Sequence, residues 1–144
     1  MAGNKDIWAW AMLVSALALH VLDEALNDFL GFYNPLVRGL KERFGFWPMP
    51  EFSFGVWIGG LAAVVLLGFL VIPLVRRRSK PVRRFTNTLG VLMILNGLGH
   101  MVGSIYLGRI LPGFWSSPLL IAASVWVVVR GFSQSAGPVP ISRR

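Results

Sequence analysis

The residues of this sequence that are best suited to chemistry are a histidine and two carboxylates in His20-x-x-Asp23-Glu24, together with a second histidine, His100. His20 and Glu24 are four positions apart, so a helix presents them on adjacent turns of one face. Joined by His100 from another helix, they offer two imidazoles and one carboxylate, which suit a zinc or iron ion. The sequence therefore predicts a metal site made of His20, Glu24 and His100.

Further polar residues follow His20 on the same helix face. At 100° per residue, Asp23, Glu24, Asn27 and Asp28 all lie within about 80° of His20. We expect Glu24 and Asp23 to act as catalytic carboxylates, and Asp23 or Asp28 to complete a closed or two-metal site. The residues expected to support the site are Asn27, Asp28, Asn96 and Ser104.

The same cluster allows two functions that need no metal. A desolvated carboxylate beside a histidine could move protons in an isomerase, a cyclase or a proton- or ion-linked transporter. Alternatively, the polar side chains pair with one another and fix the register of packed helices. A metal needs three converging ligands, an acid–base pair needs two beside a cavity, and structural pairing needs no cavity. The leading interpretation is a metal-dependent hydrolase or oxidoreductase, with the other two left open.

The composition indicates the environment in which these groups must work. The chain has 144 residues, of which 55% are hydrophobic and 14% charged, with a mean hydropathy of +0.64, whereas a soluble domain averages about 25% charged residues. An integral membrane protein is therefore expected. The sequence contains no cysteine, which excludes disulfides, thiol nucleophiles and cysteine-ligated metals. Nucleotide-binding glycine loops and HExxH motifs are also missing.

Four apolar segments, at about 7–30, 52–75, 85–107 and 114–129, are each close to the ~20 residues needed to cross a bilayer. They predict an all-α fold, a four-span transmembrane helical bundle in one domain, residues 1–132. Residues 133–144 are predicted to form a disordered tail. His20 and His100 fall at matching depth in spans one and three, so their side chains converge if those spans are neighbours.

The positions of the basic residues predict the orientation. Ten of the fourteen lysines and arginines lie at the termini or in the loop 76–84 between spans two and three. Because cytoplasmic loops retain positive charge, both termini are expected in the cytoplasm, with the protein in a bacterial inner membrane. The net charge of +8 is explained by this topology, and nucleic acid is not an expected partner.

The loop between spans one and two is expected to contain a short helix. Asn34-Pro35 fits an N-cap followed by proline at the first helical position. A helix from Pro35 to Phe44 would be amphipathic and lie in the membrane interface. The proline-rich segment 47–50 then turns the chain, either as a plain connector or as a lid over a cavity.

Two pairs of glycines spaced four apart, Gly55/Gly59 and Gly99/Gly103, permit close helix packing. We expect them in the core of the bundle, with a homodimer seam as the alternative. The other expected partners are membrane lipids and a lipid-like or apolar small molecule.

The sequence resembles the HXXEE-domain family of small membrane proteins from about Trp10 to Val129. Asp23 stands where the first glutamate of that motif is expected, which shortens the side chain by one methylene and keeps its charge. The resemblance implies a topology and a polar cluster, and it implies no particular reaction. The residues that carry it are His20-x-x-Asp23-Glu24, Asn96-x-x-x-His100, Tyr106 and Pro112-Gly113.

Overall fold

The computed structural model of the protein describes residues 2–77 and 79–133. This part of the chain is helical, without a β-strand, and most of the predicted tail lies outside it. The helices are α1 (Ala2–Leu26), α2 (Phe29–Phe44), α3 (Phe54–Leu70), α4 (Ile72–Arg76), α5 (Lys80–Leu107) and α6 (Ser117–Ser133).

The long helices alternate in direction, so that the start of α1 lies beside the end of α6. Arg130 donates to Asp6 from Nε and from Nη2, each over 2.9 Å. Both residues line a cavity of about 40 Å³ together with Val75 and Arg83. The two ends of the described chain and the α4–α5 turn therefore share one end of the molecule.

The core lies between α1 and α6. Helix α6 packs against both α1 and α5, while α3 and α4 pack on α1. Leu13 and Leu120 are fully buried at the α1–α6 contact. Trp10, also buried, donates its indole N–H to the carbonyl of Gly68 over 2.8 Å, which ties α1 to α3.

Three helical segments are long and apolar enough to cross a membrane: Asn4–Leu26, Phe54–Arg76 and Lys80–Leu107. They correspond to the first three predicted spans. The fourth apolar segment forms α6, which has 17 residues and a length of about 25 Å. It is at the short end of the range for a membrane span.

The first predicted span extends beyond the end of helix α1. We expected it to run to residue 30, but α1 ends at Leu26 and α2 begins at Phe29. The break occurs at Asp28, which has a left-handed φ of 54°. Its side chain accepts a hydrogen bond from the backbone N–H of Gly31 and so caps α2, because aspartate tolerates this conformation better than most residues.

The predicted start of the loop helix at Pro35 is also wrong. Helix α2 already covers six residues before Pro35, which lies inside it. Asn34 is not the cap. Its amide instead pairs with the backbone of Phe52, accepting from the N–H over 3.0 Å and donating to the carbonyl over 2.9 Å. The side chain thereby fastens α2 to the segment that enters α3.

Prolines shape the ends of the next two helices. Pro73 cannot donate a backbone hydrogen bond, and its ring crowds the carbonyl four residues earlier. The second apolar segment is therefore interrupted at Val71, between α3 and α4. Pro81 occupies the first turn of α5, where no donor is needed. Helix α5 therefore begins at Lys80, five residues before the predicted span.

The glycines expected in the core do not pack there. A Cβ added at Gly55, Gly59 or Gly99 would meet no atom within 4 Å, and at Gly103 only Leu111 is close. The close approaches involve other glycines: Gly68 against Val14, Gly90 against Val128, and Gly97 against Ile121. The small-residue pattern alone did not distinguish packed glycines from open ones.

Candidate metal centre

Three predicted ligands meet at the end of the bundle opposite the Asp6–Arg130 pair. One ligand atom from each of His20, Glu24 and His100 lies within 4.8 Å of the other two. Glu24 Oε1 is 3.0 Å from His100 Nε2 and 3.6 Å from His20 Nε2. His20 and Glu24 are 2% and 5% exposed, so the group is nearly sealed on the α1 side.

Helix geometry explains the convergence. His20 and Glu24 stand one turn apart on α1, and His100 comes from the last third of α5. The two imidazole rings meet edge to face, with centroids 4.9 Å apart. Phe29, the first residue of α2, closes the site by packing against His100 at 5.9 Å and stacking on Trp57 at 5.6 Å.

Behind His20 lies a chain of hydrogen bonds that fixes its ring. The Ser116 hydroxyl is 2.7 Å from Asp23 Oδ2 and 2.8 Å from His20 Nδ1. A hydroxyl has one proton, and the carboxylate can only accept. Ser116 therefore donates to Asp23, and His20 donates its Nδ1–H to Ser116. This assignment leaves the lone pair of neutral His20 on Nε2.

His20 Nε2 is buried and has no hydrogen bond of good geometry within the described residues, although the side chain of Asn96 is near enough to interact with the ring. A buried polar atom without a partner is costly, and in a folded protein it calls for an explanation. The atom faces Glu24 Oε1 at 3.6 Å, beyond hydrogen-bond distance. That distance is compatible with two atoms that share a metal ion.

A family comparison supports the motif from which this site was first identified. The matching family is described as a protein of unknown function with an HXXEE motif, and its model covers residues 10–127. The chain belongs to the HXXEE family. Neither the comparison with curated proteins nor the comparison with solved structures found a match.

In this HXXEE protein the fourth motif position is Asp23, and its carboxylate lies beside the ligand group rather than in it. Asp23 Oδ2 accepts from the backbone N–H and the hydroxyl of Ser116. Asp23 Oδ1 accepts from the Asn27 amide over 2.8 Å. Both oxygens are thus occupied by donors, so the geometry gives Asp23 a positioning role, although we expected a catalytic one.

The predicted supporting residues take different places in the HXXEE chain. Asn27 holds Asp23, whereas Asp28 caps α2 and does not join the ligand group. Ser104 donates to the carbonyl of His100 over 2.6 Å and accepts from the backbone N–H of Leu111 over 2.9 Å. It thereby ties the end of α5 to the following loop. Asn96 is exposed, its side chain interacts with His20, and it lies on a groove next to His100.

Two site residues of the HXXEE protein were missed by the sequence analysis. Ser116 was not singled out among the polar residues of the sequence. Gly113, part of the family likeness, has φ +85°, and a Cβ there would lie 2.9 Å from His20 and 3.0 Å from His100. The available signal was the Pro112-Gly113 pair, with Ser116-Ser117 after two aromatic residues, since proline, glycine and serine are common in tight turns.

The site of the HXXEE protein opens on one side. His100 and Asn96 border a groove of about 720 Å³ between α2 and α5, and the groove wall is mostly apolar. The volume lies within the range of small-molecule sites. The ligand group is therefore closed toward α1 and accessible along α5.

Proposed function

We propose that the chain is an integral membrane protein of four spans that binds one divalent metal ion through His20, Glu24 and His100. We propose further that it is a metal-dependent enzyme acting on a lipid-like substrate. Three long apolar helices and the convergence of the three side chains support this function.

Two of the three spacings between the ligand atoms fit a metal ion, and all three atoms lie within 4.8 Å of one another. Bonds of about 2.0–2.1 Å in a tetrahedron place neighbouring ligand atoms about 3.3 Å apart. The two distances from Glu24 Oε1, 3.0 and 3.6 Å, fall on either side of that value. To bind an ion, these two distances, from Glu24 to His100 and from Glu24 to His20, need to change by only a few tenths of an ångström.

The observation that carries the proposal is the unpartnered Nε2 of His20. A purely structural network would satisfy each of its buried polar atoms. Here Ser116 and Asp23 hold the opposite nitrogen as a donor, which is the usual support for a histidine that ligates a metal. The other nitrogen, Nε2, keeps its lone pair and lies 3.6 Å from Glu24 Oε1.

Two histidines and one carboxylate leave room for water or substrate at the metal. Zinc in such a site polarises a carbonyl group and lowers the pKa of water, which favours hydrolysis. Iron in the same ligand set favours oxidation. The groove beside His100 gives an apolar molecule a route to the open position. The identity of the metal therefore selects the reaction class.

The test is elemental analysis of the purified full-length protein after incubation with Zn²⁺ or Fe²⁺ and removal of free metal. We expect about one ion per chain in the wild type, and none in His20→Ala, His100→Ala and Glu24→Gln. The matched control is Glu42→Gln, which removes an exposed carboxylate outside the site and should retain the ion. A wild type that binds neither metal would overturn the proposal.

A second function is favoured by one distance. Glu24 Oε1 and His100 Nε2 are 3.0 Å apart, within hydrogen-bond reach, so the pair could transfer a proton to and from a substrate in the groove. This function requires Glu24 and His100 but not the lone pair of His20. A metal-free protein whose activity survives His20→Asn and disappears in Glu24→Gln would establish it in place of the metal site.

A further inference from the structure

The groove beside the candidate metal centre has a positive charge, that of Arg109, at its outer end. It is lined by Leu36 and Phe32 of α2, by Leu95 and His100 of α5, and by Arg109 just beyond α5. Its apolar wall suits hydrocarbon, whereas Arg109 suits an anion. A ligand that matches both parts must be amphipathic.

Arg109 is placed to receive an anionic group. Its guanidinium lies over the Phe32 ring, 5.7 Å from the centroid, and the side chain is exposed. Among the described residues it forms no ion pair with a carboxylate. The stacked ring restricts the guanidinium, which leaves its donors free for a carboxylate or phosphate.

The floor of the groove is made by glycine. Gly99 lies on α5 one position before His100, lines the groove, and has no atom within 4 Å of a Cβ built on it. Any larger side chain at this position would therefore project into the groove. The open floor lets a slender apolar chain run along α5 to the edge of His100.

From these contacts we infer that the groove binds an anionic lipid, with its head group at Arg109 and its hydrocarbon chain running inward past His100. The inference rests on the proposed function and names the substrate class of that site. Seven residues separate His100 from Leu107, where α5 ends, which corresponds to about 10 Å along the helix. The part of the lipid beside His100 therefore lies about 10 Å from its anionic group.

The experiment uses the full-length protein in phosphatidylcholine nanodiscs. The probes are a palmitate with a diazirine in mid-chain and its neutral methyl ester. After irradiation, labelled peptides are quantified by mass spectrometry. We expect palmitate to label the part of α5 from Leu95 to Leu107 about tenfold more than the ester, as one charge-assisted contact predicts.

Two matched pairs of variants test separately the charge of Arg109 and the open volume beside Gly99. Arg109→Gln should abolish the preference for palmitate, whereas Arg43→Gln should retain it, because Arg43 also stacks on a phenyl ring, that of Phe44, but lies outside the groove. Gly99→Leu should prevent labelling by both probes. Gly59→Leu, at another open helix position, should leave it unchanged.

The outcomes distinguish this inference from the proposed function. Equal labelling by acid and ester, or wild-type labelling in Arg109→Gln or Gly99→Leu, would overturn the lipid site whatever the metal content. Palmitate labelling should persist in His20→Ala, because His20 does not line the groove. A protein that binds palmitate as described but no metal would overturn the metal centre alone and leave the lipid site in place.

Discussion

His20 has two ring nitrogens in opposite environments. Nδ1 is engaged by a serine and, through it, by an aspartate, while Nε2 is buried without a partner. Polar residues in an apolar helix are expensive, so they face protein or a cavity and carry out a function. The asymmetry of His20 is what the proposed role as a metal ligand requires.

We predict that Ser116→Ala weakens metal binding without abolishing it. The variant removes the acceptor for the His20 Nδ1–H, and loss of such a supporting contact costs about 10–100-fold in metal affinity. A zinc titration against a coloured chelator measures the effect. Ser124→Ala is the control, because Ser124 is a buried serine of α6 that bonds only to the Leu120 carbonyl. Equal affinity in the two variants would contradict a supporting role for Ser116.

Gly113→Ala should disrupt the site more severely. Alanine at φ +85° is strained by about 1 kcal/mol or more, and its methyl group would press on both histidine rings. We expect a lower unfolding temperature and loss of the metal.

Gly99→Ala provides the comparison for this variant. It adds a methyl group in open space inside α5, where alanine favours the helix by up to about 1 kcal/mol. Thermal unfolding in detergent measures both variants. A Gly113→Ala protein as stable as wild type, with its metal retained, would show that the turn tolerates a side chain.

The attachment of α2 to the segment before α3 determines one wall of the groove. Asn34 pairs with the Phe52 backbone, and Arg38 Nη2 donates to Glu51 Oε2 over 2.8 Å. Tyr33 adds a hydrogen bond to the carbonyl of Pro50. Residues 50–52, at and just after the end of the proline-rich segment, are therefore held against α2 by side chains of three α2 residues.

We predict that this attachment weakens in acid. The hydrogen bond from Arg38 lowers the pKa of Glu51 below its ordinary value of 4.5. A lowered pKa in the folded state means that the ion pair stabilises the attachment above the ordinary pKa. This stabilisation is lost as the pH falls through the lowered value.

Carboxyl ¹³C resonances of the labelled protein report the titration of Glu51. The midpoint of this titration should lie below 4.5. It should rise in Arg38→Gln, where Lys41, 3.9 Å from the carboxylate, remains as the neighbouring cation. Arg43→Gln, which removes another arginine of α2, should leave the midpoint unchanged. A midpoint that does not respond to Arg38→Gln would show that the pair does not persist in solution.

The long helices and the pairing of His20 with Glu24 could be predicted because both follow from regular geometry. Apolar length gives the long helices, and the i to i+4 spacing gives the pairing of His20 with Glu24. The partner of Asp23 could not be predicted in this way. Ser116 lies 93 positions further on and reaches Asp23 through a turn set by the positive φ of Gly113. Helical periodicity contains no information about such a turn.

The helix boundaries were less predictable because two residues could serve as the cap. Asn34-Pro35 looks like a helix start, yet Asp28 takes that role and Asn34 bonds to a segment 18 positions away. The distant contact of Asn34 depends on how the chain returns toward α3, which composition and local propensity do not encode.

The charges of the whole molecule are divided between its two ends. The Asp6–Arg130 pair lies at the end that contains the α4–α5 turn, where Arg76, Arg77, Lys80, Arg83 and Arg84 are clustered. The candidate metal centre lies at the other end, beside α2. If the positive end is retained in the cytoplasm, the metal centre and the groove face the outer half of the membrane.

This orientation can be tested with cysteines, because the chain contains none. Ser79 and Ser53 form a matched pair: both are exposed, and both precede a helix without a side-chain capping bond. In intact spheroplasts, a membrane-impermeant maleimide should label Ser53→Cys. It should reach Ser79→Cys only after lysis.

A third variant tests whether α6 crosses the membrane. Ser133 ends α6, so with four crossings it lies on the same side as Ser79, and Ser133→Cys should be labelled only after lysis. Labelling of Ser133→Cys together with Ser53→Cys in intact spheroplasts would show that the 17 residues of α6 do not cross. Labelling of Ser79→Cys and Ser133→Cys but not Ser53→Cys would reverse the orientation and place the metal centre on the cytoplasmic side. The lipid substrate would then have to enter from the inner leaflet.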